Sequence, residues 1–157
     1  MTQFALYKGS GGKFGACQFN LKPYEYSSDP SKGKTGVVFI NAASSTAPDV
    51  YDWTNKIVMA LNVTDVGKLI QFFVSAEAGS SVNLVHDPKM GTDEAGKTYK
   101  GLSIFTKEGP LNGGLITVKV KSGDTQVQHK IPISGDEVVV LKTLLETAVV
   151  RMVGWDV

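Results

Sequence analysis

The sequence predicts an α+β fold in which a run of strands followed by a capped helix occurs twice. Three observations predict it. Apolar and polar residues alternate over stretches such as Phe14 to Lys22 and Leu115 to Lys121, the pattern of half-buried strands. Two stretches switch to helical spacing directly after a polar cap, one after Asn62 and one after Ser134. Seventeen glycines in 157 residues fit a turn-rich, mainly β chain.

The first half opens with a short strand, Gln3 to Lys8, and a loop tip at Gly9 to Gly12. In Phe14 to Lys22, Cys17, Phe19 and Leu21 fall on one face and Gln18, Asn20 and Lys22 on the other. Ser27 to Lys34 reads as a connection, Val37 to Ile40 as a third strand, and Ala43 to Asp49 as a Ser/Thr/Pro-rich loop. A fourth strand spans Trp53 to Leu61. Asn62 then caps a helix, with Asp65 completing a capping box, and Val66, Leu69, Ile70 and Phe73 form its apolar stripe.

The second half repeats the plan. Its strands are Val82 to Val85, Thr98 to Phe105, Leu115 to Lys121 and Gln126 to Ile133. Pro88 stops the first of them, because proline cannot donate to a ladder. Met90 to Gly96 reads as a polar loop. Ser134 and Glu137 then box the N-terminus of a last helix. That helix is apolar over a wide arc from Val138 to Met152, broader than one sheet contact needs, which predicts packing against a second subunit. The chain reads as one domain, 1–157, with pseudo-repeat halves at about 1–79 and 80–157.

Composition narrows the function. Cys17 is the only cysteine, so no internal disulfide forms and a cytosol-like compartment is expected. No apolar run reaches the length of a membrane span. Residues 1–20 lack the layout of a secretory signal or an Arg-rich transit peptide, so the expected setting is cytoplasmic. The net charge of +1 is uninformative, but residues 1–48 carry five lysines against two carboxylates. The excess reads either as an ordinary solvated surface, lysine being common at sheet edges, or as a basic face on the first sheet.

Chemistry is sparse. With His86, His129 and one distant cysteine, a Cys/His zinc site is excluded. Lys32-Gly33-Lys34-Thr35 lacks the upstream glycine of a phosphate-cradling loop and leads into a strand. No serine nucleophile elbow occurs. Asp87, Asp93 and Glu94 read as a solvated turn, and Asn62-Val63-Thr64 as a helix cap rather than a glycosylation site. The sequence predicts no catalytic residues, no metal and no cofactor, hence a binding protein rather than an enzyme.

Six motifs in register carry a family resemblance. They are Tyr51-Asp52-Trp53-Thr54, the strand-to-helix run Leu61 to Ile70, His86-Asp87-Pro88, the strand entry Ala95 to Ile104, Ile131-Pro132-Ile133-Ser134, and Gly154-Trp155. Together, over roughly residues 33–155, they resemble the Whirly family of single-stranded DNA-binding proteins. The resemblance implies two four-stranded antiparallel sheets, each followed by a helix (ββββα duplicated), assembled as a homo-oligomer (dimer or tetramer) through the helices. It also relates the chain to melted-DNA-binding transcription coactivators, which have half this unit. The family's Lys-rich second-strand motif has no clean counterpart; Lys13-Phe14-Gly15-Ala16 stands in about its place.

The resemblance implies single-stranded DNA as the partner, in replication, recombination or transcription, with a bacterial or phage setting or an organellar matrix. RNA binding on the same fold and a structural virion oligomer are the rivals. Expected phosphate contacts are Lys8, Lys13, Lys22, Lys32, Lys34, Lys56, Lys97 and Lys100. Expected stacking rings are Phe14, Tyr24, Tyr51, Trp53 and Tyr99.

Overall fold

The computed structural model describes residues 3–87 and 98–156. Pro88, Asp93, Glu94, Lys97 and the Met90 to Gly96 loop lie outside the described residues.

The first sheet holds β1 (Gln3–Tyr7), β2 (Gly15–Lys22), β3 (Val37–Ala47), β4 (Val50–Tyr51) and β5 (Ile57–Leu61), all antiparallel. β4 and β5 lie on the same edge of β3, opposite its C-terminal and N-terminal parts respectively. They are one fourth strand broken by a single 3-10 turn. Helix α1 (Val63–Ser75) follows. The second sheet is an antiparallel meander of β6 (Ser81–His86), β7 (Thr98–Phe105), β8 (Gly114–Ser122) and β9 (Thr125–Ile133), followed by α2 (Gly135–Met152). The expected architecture of two four-stranded sheets, each followed by a helix, is therefore present.

Two local expectations fail for identifiable reasons, and one residue is more buried than its face suggests. Ala43 to Asp49 is not a loop, because β3 runs on to Ala47. Its Ser and Thr residues are small enough for the crowded ladder with β2, and the Ser45 hydroxyl accepts from Gly11 N at 3.0 Å while donating to the Ala47 carbonyl at 2.9 Å. Trp53 does not begin the fourth strand. Asp52 caps a 3-10 turn over Trp53–Asn55 by accepting from Asn55 N at 3.3 Å and Nδ2 at 2.8 Å. Asn20 is buried, although alternation assigns it to the polar side of β2.

Both helices begin as their caps require. Asn62 Oδ1 accepts from Asp65 N at 2.8 Å, and Asp65 Oδ2 accepts from Asn62 N at 3.1 Å. Glu137 Oε1 accepts from Ser134 N at 2.9 Å, so the second box also satisfies a donor that the helix leaves orphaned. Val66, Leu69, Phe72 and Phe73 of α1 and Val138, Leu141, Leu145, Ala148 and Met152 of α2 are buried. They join the inner faces of both sheets in one core. Each such side chain contributes about 1.5–3 kcal/mol, and Leu69→Ala is expected to cost about 2–5 kcal/mol. With helices and inner faces committed to the core, the outer sheet faces are left to solvent.

Candidate nucleic-acid interface

Pairing register fixes which residues share the outer face of the second sheet. Tyr99 lies opposite Lys121, Gly101 opposite Lys119, Thr117 opposite Lys130, and Lys119 opposite Gln128. Phe105 joins the same face and is 46% exposed. Lys119, Lys121 and Lys130 are exposed, and no carboxylate stands at a register position of this face among the described residues. Gly101 keeps the face open: a Cβ there would sit 3.0 Å from Lys119 Cε, so the glycine lets the lysine stem lie across the neighbouring strand. Three mobile cations on a sheet without opposing charge attract phosphates.

The outer face of the first sheet offers rings instead. Tyr7 of β1 and Tyr51 of β4 meet with centroids 5.7 Å apart, and Tyr51 and Trp53 stand 6.2 Å apart. The two strands between them contribute Ala16 and Ala43, paired with each other and fully buried, so the rings can close over the sheet. The Tyr51 hydroxyl accepts from Gly9 N at 3.0 Å, and a Cβ on Gly9 would meet Tyr51 Cε1 at 2.6 Å. Glycine is therefore required for this close approach. Tyr7 is 53% exposed, so this cluster retains aromatic surface for stacking.

Between the two faces lies a cleft of about 320 Å³ bordered by Lys13, Phe14, Ser44, Ser45, Gln128, His129 and Lys130. Ser45 pairs with Tyr51, and Gln128 pairs with Lys119, so the cleft joins the ring cluster to the basic face. The Lys13 ammonium stands 5.2 Å from the Phe14 ring centroid, and Phe14 holds a left-handed backbone (φ 44°). His129 is buried, and no described protein atom hydrogen-bonds its Nε2. Burial lowers its proton affinity, and the nearby Asp52 carboxylate opposes that shift in part.

The expected site residues divide by position. Lys13, Phe14, Tyr51 and Trp53 gather at the cleft and ring cluster, and Lys56 is exposed just after the 3-10 turn. Tyr99 stands on the basic face. Lys22, Tyr24, Lys32 and Lys34 lie at the far end of the first sheet, six residues along β2 from Ala16, roughly 20 Å away at strand rise. There Tyr24 N donates to the Arg151 carbonyl at 2.8 Å, and the Tyr24 and Tyr26 rings pack 4.8 Å apart, closing the C-terminal end of α2. Lys8 is tied to Glu137 at 2.7 Å. Lys100 turns to the inner face and donates to the Val58 carbonyl at 2.7 Å, fastening the second sheet to β5. Lys119, Lys121, Lys130, Tyr7 and His129 were not among the expected site residues. The alternation of Thr117, Lys119 and Lys121 against Ile116, Val118 and Val120 was the signal for the first two.

This geometry defines a class: an α+β protein of duplicated ββββα build, with a basic sheet face joined to an aromatic cluster. No helix among the described residues is long and apolar enough to cross a membrane. The Whirly transcription factor family model matches residues 10–144, and the chain belongs to the Whirly family. It is 29% identical over 162 residues to the single-stranded DNA-binding protein WHY1, chloroplastic, of Zea mays, covering 99% of this chain and 57% of that protein. It is 32% identical over 108 residues to the single-stranded DNA-binding protein WHY2, mitochondrial, of Arabidopsis thaliana, covering 68% of this chain and 43% of that protein. The chain thus spans about half the length of these curated relatives. The crystal structure of WHY3 from Arabidopsis thaliana superposes with a TM-score of 0.79 at 23% identity, covering 99% of this chain and 90% of that one. The plant transcriptional regulator PBF-2 gives a TM-score of 0.78 at 24% identity, covering 98% and 83%.

Proposed function

We propose that this chain binds single-stranded DNA with little sequence preference, as one 1–157 domain and without catalysing a reaction. The face of Lys119, Lys121 and Lys130, which holds no carboxylate among the described residues and is joined through the cleft to the Tyr7–Tyr51–Trp53 cluster, carries the reading. Lysines neutralise phosphates and rings stack on any base, and neither contact reads sequence. Of the residues expected from sequence, Lys13, Phe14, Tyr51, Trp53, Lys56 and Tyr99 belong to this surface. Lys8 and Lys100 hold the fold together, and Lys22, Lys32 and Lys34 form a separate basic end. The relatives named as single-stranded DNA-binding proteins support the same ligand.

The functional unit is a homo-oligomer assembled through the helices. Val139, Val140, Leu144 and Val150 leave an apolar stripe on the outside of α2 that the core does not use. Strand protection or organisation during transcription, replication or recombination is the role this binding serves. The chloroplast and mitochondrial names of the relatives favour an organellar setting over the cytosol.

Fluorescence anisotropy with a labelled oligonucleotide of mixed sequence, its duplex and the same sequence as RNA tests the ligand. Tight binding to the single DNA strand and weak binding to the duplex is the expected result. Equal affinity for duplex and separated strands would overturn it.

A further inference from the structure

We propose that the cleft between the sheets seats one nucleotide of the bound strand, its base on the Phe14 ring with a polar edge on the His129 imidazole, its phosphate between Lys13 and Lys130. The inference rests on the single-stranded DNA reading and adds to it a particular seat.

Four observations converge on it. The His129 ring is 9% exposed, yet its Nε2 has no hydrogen-bond partner among the described residues. Leaving a buried polar atom unsatisfied is costly, so a group that could bond it gains affinity. The ring borders a cleft whose other walls carry Lys13, Lys130 and Phe14. Phe14 is 37% exposed and holds φ at 44°, a backbone region that non-glycine residues seldom adopt and that clusters at binding sites. The cleft also lies between the ring cluster and the basic face, since its Ser45 pairs with Tyr51 and its Gln128 with Lys119.

The chemistry of the seat selects a base rather than a bare phosphate. Asp52 is the charged group that acts on the imidazole, Lys13 and Lys130 line the cleft it borders, and burial favours the neutral ring. A neutral imidazole presents one donor and one acceptor nitrogen. Every nucleobase edge carries at least one complementary group, so the contact is compatible with mixed sequence. The torsion that turns an imidazole about its Cβ–Cγ bond is broad, so offering a ring nitrogen to an entering base requires no change of fold.

Ring nitrogen NMR of the intact protein reads the seat directly, because His86 and His129 are the only histidines. H86Q serves only to assign the two rings. A short oligothymidylate at saturation is expected to shift the His129 ring nitrogens, and an abasic oligonucleotide of the same length to leave them in place. H129F is expected to bind the thymidylate roughly 3- to 10-fold more weakly, the worth of one hydrogen bond, with an unchanged salt slope. An unmoved His129 resonance in the thymidylate complex, or an equal shift with the abasic strand, would overturn the seat while the single-strand reading stands. Failure of the wild-type protein to bind any single strand would overturn both.

Discussion

The two sheets carry outer faces of opposite character. The β6–β9 face presents Lys119, Lys121 and Lys130 with no carboxylate beside them among the described residues, whereas the β1–β5 face presents Tyr7, Tyr51 and Trp53 over buried alanines. The strand pattern is the same in both halves, so the difference lies wholly in which residues alternation sends outward. One face supplies long-range attraction that salt screens, and the other supplies short-range stacking that salt barely touches. A strand bound across both would be captured by charge and held by rings.

The largest expected effect breaks that division at the basic face. Replacing Lys119, Lys121 and Lys130 together with alanine removes about three phosphate contacts. At roughly 0.7 counterions released per contact, the log–log salt slope falls by about 2, which is about 100-fold in affinity at 0.1 M salt relative to 1 M. Anisotropy titrations across a salt series measure both. An unchanged slope would move the phosphate path elsewhere, with the Lys22, Lys32 and Lys34 end as the next surface to test.

A smaller effect with the opposite signature is expected on the other face. Tyr7→Ala removes a half-exposed ring at little cost to the core. Losing one stacked base costs at least about 1 kcal/mol, roughly fivefold in affinity, and the salt slope should stay constant. A changed slope with unchanged affinity at high salt would show that Tyr7 acts on charge placement and not on stacking.

The same contrast explains what was legible in the sequence. Strand alternation and both capping boxes depend on neighbours within four residues, so the four-strand-plus-helix plan could be read directly. Thr117, Lys119 and Lys121 were visibly one face, but their side of the sheet became a site only once β9 placed Lys130 and Gln128 beside them. Lys100 shows the reverse. It sits beside Tyr99 in sequence, yet alternation sends it inward to the Val58 carbonyl, 42 residues away. Lys8 likewise looked like a free cation until folding brought α2 and Glu137 to it, 129 residues along the chain. Long-range partners decide which lysines remain available, and no local pattern records them.

Lys8 therefore sharpens the comparison as a lysine that should matter for stability alone. Its pair with Glu137 is partly exposed, so Lys8→Met is expected to cost no more than about 1 kcal/mol. Single-strand affinity and salt slope should not change. Urea unfolding and anisotropy on the same preparation separate the two readouts. A fall in salt slope would return Lys8 to the phosphate path.

Acidification gives the smallest expected effect and distinguishes the cleft from the helix cap. Burial lowers the proton affinity of folded His129 below the ordinary value of 6.5, with Asp52 opposing in part. Above that pH the ring is neutral in both states and does not affect folding. As pH falls below 6.5 the unfolded chain takes up the proton first, so stability declines until the folded ring also protonates. Glu137 behaves as a carboxylate with lowered proton affinity: burial pushes its proton affinity up, but the Lys8 ammonium and the Ser134 donors outweigh it. Its stabilisation is whole above the ordinary value of 4.5 and is lost as pH falls further. Urea unfolding across this range should show two separate declines. H129F should abolish the upper one and leave the lower, while Glu137→Gln should leave the upper one and reduce the lower, to which Asp29 and Asp136 also contribute. If H129F leaves the decline that sets in below pH 6.5 intact, the His129 ring is not held neutral by its burial, and the neutral donor–acceptor chemistry assigned to the cleft fails with it.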